Sequence, residues 1–367
     1  MVAASYTTVK VNLGPRSYPI IIGEGTFDQI GPRLLAMGLQ GKAAVVTHET
    51  LGRLFAPHLT ESLAAAGFTP LVIEVPEGEE AKSMKWADRL YRRFIKEGLE
   101  RWSPVLALGG GVVGDLAGFV AGSYMRGTPF FQLPTTLVSQ VDSSIGGKVA
   151  LNHPAAKNVI GLFYQPGAVF IDPGVLKTLP ERDIVAGMGE VIRYAAAFDA
   201  RFFRYLETHM ADLLALESGA LRKTIRRCCA IKAGIVEADE RELLEIRSLL
   251  NYGHTIGHAV ETSTDYSVYR HGEAVAIGMA SAARLAWKLG ICSRNTMERQ
   301  VKLIKDAGLP VILRDISSEK VLKSLKLDKK VKHGKVKFIL TEAIGRAKVH
   351  EGINMADVLK AMAGRRF

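Results

Sequence analysis

The feature that most constrains this chain is an alternation running through its first half. Short β-rich runs at residues 43–47, 71–75 and 105–108 are separated by helical apolar spacing over residues 50–66 and 82–98. Each helical pattern closes near a glycine, Gly67 and Gly98, as helices do where the chain must turn through a left-handed residue. Buried strands joined by helices are the βαβ rhythm of a parallel sheet with crossover connections. Residues 130–133 and 168–171 read as later strands, stopped by Pro134 and Pro173.

After Thr178-Leu-Pro180 the texture changes, and residues 181–310 are helical in pattern almost throughout. The expected fold is therefore α/β plus all-α. An N-terminal Rossmann-like, parallel-sheet nucleotide domain would occupy residues 1–180, and a C-terminal helical metal- and substrate-binding domain residues 181–367. With 367 residues and 48% hydrophobic content, the chain can bury a core in each.

The net charge of +11 points to an acidic partner. Much of that excess is local: residues 319–337 hold eight lysines against two acids. Few aromatics interleave with them, so the run reads as a solvated face and nucleic acid is not expected as a partner. Cys228, Cys229 and Cys292 are too few and wrongly spaced for a zinc knuckle or a disulfide framework. The N-terminal residues show no signal-peptide pattern, and no apolar run reaches the ~18 residues a membrane helix needs. A cytoplasmic, membrane-free protein is the expectation.

Three segments carry chemistry. Gly109-Gly110-Gly111-Val112-Val113-Gly114-Asp115 follows a strand and opens a helix, so its backbone N–H groups can approach a phosphate. The ordinary dinucleotide fingerprint also wants an acid ~20 residues on. This chain has Pro-Phe-Phe-Gln-Leu-Pro-Thr there, so phosphate binding is expected without the standard Rossmann geometry.

The second segment runs from Pro134 through Thr135, Thr136, Asp142 and Lys148 to Lys157 and Asn158. Hydroxyls, amides and lysines threaded with apolar residues suit an oxygen-rich, anionic substrate.

In the third, Arg247, Asn251, His254 and His258 precede His271-Gly-Glu273, on a pattern that otherwise reads as buried helix. So many polar groups on an apolar scaffold are costly unless they hold a metal or an anion. His254 and His258, four apart, share a helix face. No Glu follows the first His, which departs from the zinc-protease pattern. His271 and Glu190, a carboxylate in an apolar helical stretch, are further ligands, and spacing does not choose three from these four.

Taken together, these motifs resemble the 3-dehydroquinate synthases, a branch of the sugar-phosphate cyclases. The match runs through residues 20–350. It rests on residues 109–115, 134–148, 152–158, 161–166, 176–180, 190–194 and 250–258 and on His271-Gly-Glu273. The resemblance implies that Glu190, His254 and His271 bind one divalent metal, zinc or cobalt. It gives His258 to the substrate phosphate, with Asn158, Asn251 and Lys329 (or its neighbour Lys330). Arg126 resembles an arginine that reaches the phosphate from a neighbouring subunit, which implies a homodimer. Lys148, Lys232 and Arg247 would hold the substrate carboxylate and hydroxyls, and Asp142 would lie beside the hydroxyl that is oxidised. NAD would lie along Glu77, Gly78, Glu79, Glu80, Ala81 and Lys82, then Gly110, Gly111, Val112, Val113, Gly114 and Asp115. Thr135, Thr136, Lys148, Lys157, Val175, Leu176, Lys177 and Thr178 would complete its site.

The implied reaction turns 3-deoxy-D-arabino-heptulosonate 7-phosphate into 3-dehydroquinate and phosphate. It combines transient oxidation by NAD, β-elimination of phosphate, reduction, ring opening and an intramolecular aldol closure. Three departures stand out. Arg193 occupies a usual lysine position and His48 a usual asparagine position, and residues 241–246 are one longer than usual. A forked, permanently charged guanidinium does not substitute for lysine without consequence, so Arg193 is retained as a site residue whose contact is open. The extra residue is expected to bulge on a loop without moving Arg247.

Overall fold

A computed structural model of the chain describes residues 6–314, 316–327 and 336–364. Lys329 and Lys330, and with them the middle of the lysine run, lie outside the described residues. Two compact units are formed, one from Met1–Thr178 with Cys228–Arg241, the other from Leu179–Arg227 with Glu242–Phe367.

The first unit is built on a seven-stranded sheet. Its strands are β1 (Thr7–Val11), β2 (Tyr18–Ile22), β3 (Lys42–His48), β4 (Thr69–Val75), β5 (Val105–Gly109) and β6 (Phe130–Pro134). A separate hairpin of β7 (Lys148–His153) and β8 (Ala156–Phe163) intervenes before the last sheet strand, β9 (Ala168–Ile171). The order is β1-β2-β9-β6-β5-β3-β4, parallel except for β1, which pairs antiparallel with β2. The five strand runs read from sequence fall within β3, β4, β5, β6 and β9. By contrast, β1 and the hairpin β7–β8, whose positions mix exposed and buried, lack that sequence signal, and in β2 it is broken by Pro19.

Residues alternate across this sheet with period two, and both faces are buried. Ala44, Val46, Val105 and Ala107 point into one core with α3 (Met84–Lys96) and α4 (Gly111–Ser123). Ala43, Val45, Leu106 and Leu108 point into the other, covered by α1 (Ile30–Ala36) and α2 (Glu49–Ala65).

The second unit is mainly helical: α5 (Glu181–Phe198), α6 (Ala200–Leu214), α8 (His254–Ser263), α9 (His271–Lys288), α10 (Arg294–Asp306), α11 (Ser318–Leu327) and α12 (Met355–Met362). Between them in sequence, α7 (Ser218–Ala238) divides between the two units after Arg227. Helix α9 is apolar nearly all round and buried along most of its length, so it serves as the central rod. Its first turn is closed by Glu273, whose Oε2 accepts the Arg270 N–H at 2.9 Å. A hairpin of β10 (Phe338–Ala343) and β11 (Arg346–His350) also belongs to this unit; the sequence reading named no strand there. No described helix is long and apolar enough to cross a membrane.

Candidate active site

Three helices of the second unit meet at glycines. A Cβ on Gly272 would lie 1.7 Å from the Ala186 carbonyl oxygen, and one on Gly278 would lie 1.9 Å from that of Gly253. Only hydrogen fits at these crossings, so α9 touches α5 and the start of α8 backbone to backbone. That closeness carries Glu190 on α5, His254 opening α8 and His271 opening α9 to one point.

Glu190 Oε1 faces His254 Nε2 at 3.5 Å and His271 Nε2 at 3.3 Å, and one donor atom from each residue lies within 4.8 Å of the others. The Glu190 side chain is 0% exposed, and Oε1 accepts no hydrogen bond. A buried carboxylate oxygen left so is costly. One carboxylate oxygen and two imidazole nitrogens are a donor set that suits zinc or a similar divalent ion.

The remaining polar atom of each residue is occupied. Glu190 Oε2 accepts Arg193 Nε at 2.5 Å, and Arg193 Nη1 also donates to the Leu250 carbonyl at 2.6 Å. His254 Nδ1 lies 3.4 Å from the Tyr252 carbonyl, and His271 Nδ1 lies 3.2 Å from Glu261 Oε1.

Burial alone would raise the Glu190 carboxyl, but Arg193 and the two imidazoles outweigh it and hold it well below the usual range. Burial also drives His254 well below the usual imidazole value, against the pull of Glu190. His271 goes the other way: burial is overcome by Glu190 and Glu261, and it is pushed up to about 10. The lowered Glu190 and His254 leave an ionised carboxylate beside a neutral imidazole, the protonation states that metal ligation requires.

His258 stands next to this group, its ring centroid 5.2 Å from that of His254 and 6.1 Å from that of His271. With Glu261 and His271 it forms a second close donor set, so His271 is common to both. Arg247 is 3% exposed, with Nε 3.6 Å from Glu242, and Asn251 ends the 3-10 turn Ile246–Asn251. The preceding loop takes left-handed backbone at Glu242 and Glu245 and exposes Leu243 and Leu244.

The nucleotide residues expected from sequence lie in the first unit. Gly110 caps α4 without a side-chain hydrogen bond, leaving the first N–H groups of that helix to an anion. Beside them, Ser143 Oγ is buried with no partner, and a Cβ on Gly111 would come within 3.0 Å of it. An orphaned hydroxyl against a Gly-rich helix start fits a bound pyrophosphate or ribose.

Lys82 is buried and joins Asp115 to Asn158. Burial raises the Asp115 carboxyl, with Lys82 opposing. Glu79 accepts Asn152 Nδ2 at 2.6 Å and lies 3.9 Å from Lys157 Nζ. Glu77 is exposed beside Thr50 and His48, and Gly78 takes a φ of 95° between it and Glu79, Glu80 and Ala81. Thr135 is buried and Thr136 pairs with Ser139, while Val175, Leu176, Lys177 and Thr178 share one 3-10 helix.

Asp142 lies on a π-helical turn, Ser139–Ser143, and is ion-paired with Lys232, which also donates to the Asp142 carbonyl at 2.8 Å. Lys148 opens β7, and Arg126 is exposed with a left-handed φ of 64°. Asn158, expected at the phosphate, is held by Lys82 on the β7–β8 hairpin. Sequence reasoning passed over Glu261 and Ser143. Glu261 carries a signal, since it lies three residues after His258 and seven after His254, on one helix face; Ser143 carries none.

Models of the 3-dehydroquinate synthase N-terminal and C-terminal regions match residues 72–186 and 187–331. The chain is 48% identical to the 3-dehydroquinate synthase of Desulforamulus reducens, over 97% of this chain and 99% of that one. It is 50% identical to the one from Pelotomaculum thermopropionicum, over 94% and 93%. Among solved structures, it resembles 2-epi-5-epi-valiolone synthase from Streptomyces hygroscopicus subsp. jinggangensis, which holds NAD+ and Zn2+. The TM-score is 0.84 at 29% identity, covering 94% of this chain and 95% of that one. A 2-deoxy-scyllo-inosose synthase complexed with carbaglucose-6-phosphate, NAD+ and Co2+ shares the fold, with TM-score 0.87 at 23% identity, over 98% and 100%.

Proposed function

The chain belongs to the 3-dehydroquinate synthase family, and from that premise we propose how its own residues divide the work. The reaction is conversion of 3-deoxy-D-arabino-heptulosonate 7-phosphate to 3-dehydroquinate and phosphate, with NAD and one divalent metal as cofactors. The observation that carries the assignment of residues is the convergence of Glu190 Oε1 with the ring nitrogens of His254 and His271 around a buried, unsatisfied oxygen.

Glu190, His254 and His271 would hold zinc or cobalt, and the residues along 77–82, 110–115, 135–136 and 175–178, with Lys148 and Lys157, would hold NAD. When bound, the metal supplies Lewis-acid polarisation of substrate oxygens and NAD supplies a reversible hydride acceptor. Asp142, held by Lys232, can accept or orient the proton of the hydroxyl that is oxidised. Lys148, Lys232 and Arg247 supply the cations that a substrate carboxylate requires, and Arg247 does so from a buried position, where its charge acts at low dielectric. His258, Asn251 and Asn158 are assigned to the phosphate. Its oxygens can themselves take the proton released during elimination, so no separate carboxylate base is required.

Arg126 is assigned to the phosphate of a neighbouring subunit. Exposed Met125 beside it, and exposed Val159, Leu162 and Phe163 on β8, give the apolar surface that a homodimer would cover. Three buried cysteines, Cys228, Cys229 and Cys292, joined in no disulfide, suit a reducing, cytoplasmic setting.

The test is one assay with NAD, zinc or cobalt and the heptulosonate phosphate, following phosphate, dehydroquinate and NADH together. Stoichiometric phosphate and dehydroquinate with no net NADH is the expected result. Accumulating NADH would instead show a dehydrogenase, and silence in a protein that binds both cofactors would show a cyclase for another sugar phosphate.

A further inference from the structure

We propose that Glu261 is a positioning residue for the metal ion: its carboxylate accepts the Nδ1 proton of His271 and so leaves Nε2 as the free donor. The proposal rests on the Glu190–His254–His271 ligand reading and deepens it.

A neutral imidazole has one N–H and one lone pair, so fixing the proton on one nitrogen frees the other. His271 Nε2 faces Glu190 Oε1 at 3.3 Å, while Nδ1 faces Glu261 Oε1 at 3.2 Å. Glu261 stands seven residues after His254 on α8, two turns along the same face, so one helix supplies both a ligand and the group that orients another. Its side chain is only 11% exposed, and a carboxylate so placed needs a partner.

The other two ligands follow the same plan. The Tyr252 carbonyl lies at His254 Nδ1, and Arg193 engages Glu190 Oε2. Each donor is thereby left with a single atom aimed at the centre. Glu261 differs from the Tyr252 carbonyl in carrying a full negative charge, which makes the His271 ring a stronger base toward a metal.

The competing geometry puts Glu261 in the ligand shell itself, with His258 and His271. It leaves the buried Glu190 Oε1 with no metal ion to satisfy it and no hydrogen bond, which is the costlier arrangement.

The measurement is affinity for Zn2+ and Co2+ in metal-stripped protein, by competition with a chromophoric chelator and without any turnover assay. Glu261→Ala should bind metal ~10–100-fold more weakly than wild type. Glu261→Gln keeps an acceptor oxygen but no charge, and should fall between the two. Wild-type affinity in Glu261→Ala overturns the proposal. Should that variant fail to fold, Glu261→Gln decides, and unchanged affinity there overturns it equally. A loss in His258→Ala as large as in Glu261→Ala would make Glu261 a ligand and also overturn it. His271→Ala separates the two levels: wild-type affinity there means the ligand reading itself has failed and the role of Glu261 with it, whereas loss of metal there with wild-type affinity in Glu261→Ala means only the role of Glu261 has failed.

Discussion

Arg193 Nε donates to Glu190 Oε2 at 2.5 Å, and the two side chains are 1% and 0% exposed. They stand one helical turn apart on α5, and the guanidinium reaches on to the Leu250 carbonyl with Nη1 at 2.6 Å. The fork joins the Glu190 carboxylate to the turn that leads into α8. A lysine, with one ammonium on a flexible stem, cannot reproduce both bonds in fixed geometry.

Arg193→Lys should therefore keep the charge beside Glu190 but lose one buried hydrogen bond, lowering the stability of metal-free protein by ~1 kcal/mol. Arg193→Ala leaves Glu190 buried and unpaired, and should cost ~3–5 kcal/mol. Urea denaturation of the metal-free variants checks the ordering. Equal midpoints for the two would show that the pair contributes nothing beyond the carbonyl bond.

The subunit-crossing role of Arg126 is tested by complementation. Arg126→Ala and Lys148→Ala proteins should each be inactive. After subunit exchange a mixed dimer carries one site with both residues intact, and should recover up to about a quarter of wild-type activity in an equal mixture, since half the dimers are mixed and each has one of two sites. No recovery despite proven exchange would place Arg126 within its own chain's site or outside catalysis.

Asp199 should set part of the acid stability. It caps α6 by accepting the Arg201 and Phe202 N–H groups at 2.9 and 3.0 Å on Oδ1, and pairs with Arg227 through Oδ2. Burial works against its charge, but these partners prevail and lower its pKa. A carboxyl lowered on folding contributes stability that is complete above its unfolded value of ~3.9 and fades as pH falls through the folded value. Asp199→Ala should cost ~1–2 kcal/mol at pH 7. The gap to wild type should hold at pH 5 and shrink below about pH 4. A gap constant across that range would mean that the charge plays no part.

The glycine crossings give a paired prediction. Gly278→Ala places a methyl against the Gly253 carbonyl and should destabilise by ~1–3 kcal/mol while weakening metal binding, because α9 and α8 must separate. Gly234 on α7 is exposed and has nothing within 4 Å of an added Cβ. Gly234→Ala should instead stabilise by up to ~1 kcal/mol through helix propensity. Melting curves of the two variants moving in the same direction would contradict the crossing argument.

Much of the first unit was legible because its cues are local. The runs at β3 and β5 are apolar on successive residues, and only a strand buried on both faces needs that. The hairpin β7–β8 was not legible, since its mixed burial leaves no clean period, and β1 is a five-residue edge strand with a single fully buried position. Strand β10 was not read although its first four positions are buried, because so short an apolar run cannot be told from helix by periodicity.

At the site, the order of residues along the chain sufficed to read the chemistry available. It supplied the glycines at the start of α4, the shared face of His254 and His258, the carboxylate at Glu190 and the order of motifs that mark the family. It left four candidate ligands, and it could not show Arg193 clasping Glu190 or Glu261 backing His271. Those relations depend on where ring nitrogens and carboxylate oxygens point once α5, α8 and α9 cross. The crossings are set by backbone contacts of Gly272 with Ala186 and of Gly278 with Gly253. A helix period fixes which side chains share a face of one helix. Only packing between helices, distant in sequence and close at glycines, decides which atoms of different faces meet.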